Sequence, residues 1–357
     1  MRKKDMETMI DDRNSWRSST DAKLFDKTGC LPLLGYDDLK ETILVTEEQV
    51  ACPVRGCPEK VRRQRGFFTC QNQYRCPRHH LCISPSTFQY PSEAHNILDR
   101  SSAELSLLEN VKRSKRESRI ARDNSEDALS WNVFRHLQRS VVLHLWIKSM
   151  SLYEREKIQD VVFWSHSLSA GRQWGLLNDA RITFGEDIKR GSEPDIVIVT
   201  DRCIYFVEAK LTATNKTSGN GETLARRLAN PKEYVTANDG WFSEIFTSDY
   251  ITLVKDQKYE LMRLWLLGNW SAKISGKDFV LINLVCAGNE AGIEAEFGHH
   301  IRKNKGRRFV RKTWEDIHGL GAADKSSSEY RRAFLRYLEF KTTGYASDGQ
   351  LRRAFKI

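Results

Sequence analysis

The stretch Glu193-Pro194-Asp195-Ile196-Val197-Ile198-Val199-Thr200-Asp201-Arg202-Cys203-Ile204-Tyr205-Phe206-Val207-Glu208-Ala209-Lys210 decides how the rest of the chain is read. Two β-rich apolar runs flank a polar turn at Thr200-Asp201-Arg202, which predicts an antiparallel hairpin. In such a hairpin the start of the first strand lies beside the end of the second. Asp195, Glu208 and Lys210 then meet at one end of a sheet. Side chains alternate with period two, so Lys210 points to the face that Glu208 occupies. Two carboxylates at that rim offer hard oxygen ligands to Mg²⁺ or Mn²⁺. Phosphodiester cleavage needs a nucleophilic water and relief of transition-state charge. A bound divalent ion supplies both, and a lysine beside it can orient the water or stabilise the developing charge. The Ala209 carbonyl is within reach of the same ion. The plainer alternative is solvated strand-end polarity, with Pro-Asp as an ordinary turn opener.

Upstream, Ser125 is placed to cap a long helix, with Glu126 and Asp127 in its first turn, where acids suit the positive end of the helix dipole. Leu129, Val133, Leu137, Val141 and Leu145 recur every four residues and predict an apolar stripe. Glu126 falls on the buried side of that first turn. His136 and His144 are expected in packing or at the surface, and Trp131 and Asn132 are weaker site candidates. Downstream, Ser243–Trp270 is predicted helical, with Gln257 and Lys258 expected at the surface. Phe279–Val285 is a continuous apolar run and predicts a central buried strand. The order helix, strand, hairpin strand, helix, strand implies an α/β core with a mixed sheet.

Five of the eight cysteines crowd into residues 52–82. Cys52-Pro53-Val54-Arg55-Gly56-Cys57 and Cys76-Pro77-Arg78-His79 each open with a Cys-Pro turn and bring a second ligand a few residues later. That is the layout of a zinc ribbon, in which two knuckles supply two ligands each to Zn²⁺. Cys52, Cys57, Cys76 and His79 are the preferred set, with Cys70, His80 and Cys82 in reserve. Buried free cysteines and a cysteine nucleophile beside histidine are the alternatives. A metal is favoured over disulfides, and with that comes the expectation of a reducing cytoplasm. Cys30 is expected to be a lone packing residue.

Lysine and arginine outnumber aspartate and glutamate 57 to 47, a net charge of +10 that favours an anionic partner such as nucleic acid. A membrane surface or an acidic protein would satisfy the same charge. Cations and aromatics mix at Arg62-Arg63-Gln64-Arg65-Gly66-Phe67-Phe68, a composition suited to phosphate contact and base stacking, or to a solvated hairpin. Val111–Arg122 is basic around a lone Glu117 and is expected to be a helical linker. Ile301–Lys312 carries seven cations and no acid, among them Arg302, Lys303, Lys305, Arg307 and Arg308. This run is expected to contact a phosphate backbone, against the alternative of a solvated loop. Thr212–Thr223 is a polar loop, a flap or a disordered stretch. No apolar segment follows the basic start, so no secretory signal is expected, and no apolar run is long enough for a membrane span. No G-x-x-x-x-G-K phosphate loop is present, and no heptad repeat supports dimerisation, although a homodimer suits cutting of both strands.

Pro194-Asp195 and Glu208-Ala209-Lys210 resemble the "PD" and "ExK" elements of the PD-(D/E)xK nuclease superfamily, which includes many restriction endonucleases. With the Cys-rich segment before it and Ser125–Arg135, the chain is similar over most of residues 40–320 to bacterial restriction-endonuclease-like proteins. The resemblance implies that Asp195 and Glu208 bind Mg²⁺, that Lys210 assists at the scissile phosphate, and that Glu126 supplies a third acid or positions water. It implies a restriction-endonuclease-like α/β core over 124–320, preceded by an N-terminal segment (1–46), a zinc-ribbon-like module (47–92) and a basic linker (93–123), and followed by a helical tail (321–357). The expected activity is metal-dependent DNA cleavage, with restriction or antiphage defence as its setting. RNA cleavage by the same fold and non-catalytic zinc-containing nucleic-acid binding are the alternatives.

Overall fold

A computed structural model describes residues 38–66, 68–115, 117–216, 221–229, 231–325 and 328–357, with the backbone alone at 221, 222 and 232. Cys30, Phe67, Arg116 and residues 217–220 of the polar loop lie outside the described residues.

A Cys-rich module opens the described chain. Its two short ribbons are β1 (Gln49–Ala51) with β2 (Lys60–Arg62), and β3 (Cys82–Ile83) with β4 (Phe88–Gln89), both antiparallel. Next comes α1 (Ser102–Lys112), which stops where the basic run begins. Residues 113–115 and 117–122 are turns and irregular chain rather than the expected helical linker.

The helix expected from Ser125 is two helices, α2 (Glu126–Gln138) and α3 (Val142–Lys148). Ser125 caps α2 by accepting from the Ala128 N–H. The stripe fails because a four-residue repeat drifts around a helix. At ~100° per residue, Leu145 would sit about 160° from Leu129, and Val141 and Leu145 are in fact exposed. Ser140 marks the break, its hydroxyl donating to the Leu137 carbonyl and accepting from the Val142 N–H.

The centre is a seven-stranded mixed sheet. Its first strands are β5 (Ile158–Phe163), β6 (His166–Ser167) and β7 (Arg172–Gln173), followed by α4 (Gly175–Thr183). The hairpin strands are β8 (Ile196–Thr200) and β9 (Cys203–Ala209), paired antiparallel with Ile196 opposite Val207. The helical layer that follows is α5 (Gly221–Ala229), α6 (Lys232–Thr236), α7 (Trp241–Ile245), α8 (Tyr250–Lys255) and α9 (Tyr259–Ile274). The single helix expected over Ser243–Trp270 is therefore three, interrupted where Asp249 caps α8 and Gln257 turns with φ 61°. Next come β10 (Asp278–Val285), α10 (Ile293–Gly298) and β11 (Arg307–Thr313). β9, β10 and β11 run parallel, and the order across the sheet is β11-β10-β9-β8-β5-β6-β7.

Both faces of the sheet are covered, which explains why every residue of β9 is buried. α1–α3 pack on one face together with α11 (Trp314–Ala323) and α12 (Glu329–Phe340). On the other, α4 and α7–α10 bury Trp241, Trp265 and Phe297 against Phe206 and Phe279. The chain ends in a hairpin, β12 (Thr342–Tyr345) and β13 (Leu351–Arg353), so the tail is helical only as far as Phe340. Tyr345 and Leu351 of that hairpin pack into the core of the Cys-rich module.

Candidate functional site

The β8–β9 ladder ends at the Ile196–Val207 rung, so Asp195, just before β8, and Glu208, next to last in β9, stand one residue beyond it on adjacent strand ends. Asp195 stands at the odd-numbered positions shared with Val197, and Glu208 at the positions shared with Phe206, both of which pack on the α9 side. The two carboxylates therefore share one face at one rim. Lys210 joins them: its Nζ lies 2.6 Å from Glu208 Oε1. The backbone before Asp195 is held by side-chain hydrogen bonds. Arg181 donates to the Ser192 carbonyl from Nε at 2.9 Å, while Ser192 Oγ donates to Glu186 Oε1 at 2.9 Å and Arg263 holds the same carboxylate at 2.8 Å.

Each carboxylate is partly engaged. Asp195 Oδ2 accepts the Ala209 N–H at 2.9 Å and Glu208 Oε1 accepts Lys210. Asp195 Oδ1 and Glu208 Oε2 accept no hydrogen bond from the described residues. Burial, followed by the nearby Glu208 charge, pushes Asp195 well above the ordinary carboxylate range, against the opposing charges of Lys115 and Lys210. Burial also raises Glu208; Lys210 opposes that rise, and Glu260 and Glu126 add to it. Burial alone would lower Lys210, but Glu208, Glu260 and Asp195 outweigh it and keep the ammonium protonated above its usual range.

Glu260 is the member of this constellation that the sequence did not disclose. It lies in the first turn of α9, and its Oε2 is 3.7 Å from Lys210 Nζ. Its neighbour Lys258, expected at the surface, is buried and pairs with Glu296 at 2.6 Å. On the rung of Glu208 in β10 stands Asn283, fully buried and bonded to Asn215 at 2.6 Å and Glu290 at 2.9 Å.

Glu126 does not close with Asp195 and Glu208 into one group of ligand atoms within 4.8 Å. Its Oε1 accepts the Leu211 N–H at 2.8 Å and, at longer range, those of Thr212 and Ala213. It thus holds the chain that leaves Lys210, which is fixed a second time where Trp314 Nε1 donates to the Lys210 carbonyl at 3.0 Å. Trp131 stacks with Trp164, and Asn132 bonds the Leu98 N–H and the Asn96 carbonyl. His136 stacks on Phe334 at 3.8 Å between ring centroids, and His144 is exposed.

Cys52, Cys57, Cys76 and His79 converge, with one ligand atom from each within 4.8 Å of the others. Cys57 and Cys76 sulfurs are 3.9 Å apart, and His79 Nδ1 is 3.6 Å from Cys52 and 3.7 Å from Cys76. A tetrahedral zinc with Zn–S of ~2.3 Å and Zn–N of ~2.0 Å has S···S and S···N edges of about 3.8 and 3.5 Å. The four residues can therefore hold a metal such as zinc. The hydrogen bond with Cys52 draws the Cys76 thiol down to about 5 and raises that of Cys52. The reserve ligands Cys70 and Cys82 are instead bonded to each other as a disulfide, their Cα atoms 5.7 Å apart. The expected absence of disulfides therefore fails for Cys70 and Cys82, whereas Cys52, Cys57 and Cys76 are free thiols that could serve a metal.

The basic segments are spread around the molecule. Arg62, Arg63 and Arg65 line a 740 Å³ cleft with Glu47, Glu48 and Tyr74. There Arg63 binds the Thr46 carbonyl and Arg65 that of Glu47. Arg307 lies beside Phe279, on the rung of Ile204, about 13 Å along the strands from the rung of Glu208. Arg302, Lys303, Lys305 and Arg307 therefore belong to the end of the sheet opposite the carboxylates, and Arg308 is one rung nearer to them. Arg302 and Arg307 are tied to carbonyls of Ser243 and Glu244. On the carboxylate side, a 360 Å³ cleft is lined by Lys115, Arg119 and Arg122 and equally by Glu117, Glu126 and Asp127, with Lys115 paired to Asp127 and Arg119 to Glu117. Arg122 and Asn124 also line a second cleft of 260 Å³ beside Phe68 and Ser84–Gln89 of the Cys-rich module.

No family model, curated protein or solved structure matches the chain. No described helix is long and apolar enough to cross a membrane.

Proposed function

We propose that the chain is a Mg²⁺-dependent endonuclease that hydrolyses phosphodiester bonds in DNA, in restriction or antiphage defence. The observation that carries this reading is the rim itself: two carboxylates at adjacent strand ends, a lysine beside them, and one oxygen of each carboxylate left out of the protein's hydrogen bonding. Mg²⁺ is commonly held by one or two carboxylates and completed by water and substrate phosphate. Asp195 Oδ1 and Glu208 Oε2 are the oxygens that would hold it. When bound, the ion would acidify a water and draw charge from the phosphate.

The side chains of this protein do the rest. Lys210, kept protonated by the surrounding acids, supplies a fixed positive charge for the phosphate oxygens in the transition state. Glu260 positions Lys210 from the helix side, and Glu126 holds the backbone that follows it. Arg122, which lines both adjoining clefts, offers the nucleic-acid backbone a cation on the way to the Cys-rich module, which a structural zinc would hold together, while Lys115 and Arg119 are paired with Asp127 and Glu117.

The test is nicking of supercoiled plasmid by purified protein with Mg²⁺ or Mn²⁺, run beside single-stranded DNA and both forms of RNA. Wild type should nick DNA, and Lys210→Ala should lose at least about a hundredfold in rate while retaining DNA binding. Cleavage of RNA alone would move the substrate. Binding by both proteins with cleavage by neither would leave a zinc-containing nucleic-acid-binding protein instead.

A further inference from the structure

We propose that Asp256, His299 and His300 form a second metal site, which takes Zn²⁺ or another late first-row divalent ion. Asp256 follows α8, and the two histidines follow α10. One ligand atom from each of the three lies within 4.8 Å of the others.

The case rests on how the imidazoles are held. His299 Nδ1 is 3.2 Å from the Ala295 carbonyl, which can only accept, so Nδ1 carries the proton and Nε2 keeps its lone pair. His300 Nδ1 is 2.9 Å from Ser248 Oγ, which can take the same proton. A metal-binding histidine is ordinarily oriented in this way, through its second nitrogen. His300 is 1% exposed, and its Nε2 is buried without a hydrogen-bond partner. A buried polar atom in that state calls for an explanation. Nε2 lies 3.4 Å from Asp256 Oδ2, close to the ~3.3 Å edge of a tetrahedral site with one imidazole and one carboxylate ligand. Two imidazoles and a carboxylate suit zinc, cobalt, nickel or copper better than Mg²⁺. Three protein ligands leave a position for water or an added ligand. The ion would clip the turn before α9 to the segment leading into β11. This site stands independently of the proposed nuclease chemistry.

Apo protein without a purification tag would be equilibrated with Zn²⁺ for metal analysis and titrated with Co²⁺ for absorption. Wild type should bind two ions, one with a thiolate-to-cobalt band from the Cys-rich module and one without. His299→Ala and Asp256→Asn should each lose the second ion and keep the thiolate band. Both residues are exposed, so neither change opens the core. A simple His300–Asp256 ion pair would not need His299. A wild-type chain whose only ion gives the thiolate band, or variants that bind as much metal as wild type, would overturn the proposal.

Discussion

Glu126 is the residue whose role the geometry redirects. Acids in a first helical turn ordinarily serve the dipole, and the resemblance assigned it to the metal. Here its carboxylate gathers the backbone N–H groups of the turn after Lys210. Glu126→Gln keeps an oxygen in that place and is expected to retain cleavage within about threefold, whereas Glu126→Ala should cost roughly 1–3 kcal/mol of stability and slow the reaction. A nicking assay with thermal melting checks this; if the glutamine variant is as inactive as Asp195→Asn, Glu126 is a ligand after all. Asp195 itself carries a sign that can be tested. Asp195 and Glu208 hold their protons above the ordinary carboxylate range. The folded state therefore binds more protons than the unfolded one, and stability falls as pH rises through the raised pKa values. Asp195→Asn should flatten that fall and stabilise the metal-free protein by about 1 kcal/mol at neutral pH while abolishing cleavage. Mg²⁺ should raise the wild-type Tm more at neutral than at mildly acidic pH. Urea titrations across pH and melting with and without Mg²⁺ measure both.

At the scale of elements, the hairpin and β10 were legible because alternation and continuous apolar runs are local signals. The helices were less so, because apolar content does not say where a helix stops. α9 is apolar nearly all round, and such a helix is buried. Its register against the sheet is set by Gly268, where a Cβ would come within 2.1 Å of the Phe279 ring. That ring is locked edge-on between Phe206 and Trp265. Alanine normally improves a helix interior by about 1 kcal/mol over glycine. Here Gly268→Ala should instead destabilise by roughly 1–3 kcal/mol through overpacking, read from the urea midpoint, and should impair cleavage because α9 carries Glu260. A stabilised variant would show that the helix docks with room to spare.

Across the whole molecule, the last residues close against the first described ones. Gly344 has φ 116°, and a Cβ there would lie 2.0 Å from the Ser86 carbonyl oxygen. Buried Lys341 and Thr342 bond Asp123, whose carboxylate also accepts from Tyr90 of the module. Gly344→Ala should therefore cost about 2–4 kcal/mol, combining backbone strain with a lost close approach. Urea denaturation measures it, and a change below about 0.5 kcal/mol would mean that the tail is not part of the module's fold. The sequence by itself determined which short segments pair, which residues share a strand face and which cysteines lie near one another, because these follow from backbone periodicity and spacing over a few residues. Only the tertiary structure decided that Glu260 joins Lys210 and that Glu126 holds the following turn. It likewise decided that the Arg302–Arg307 cations sit at the far end of the sheet and that a C-terminal hairpin completes the Cys-rich module. These placements depend on how helices and strands dock over long sequence separations, where side-chain volume and buried polar partners, not local pattern, set the geometry.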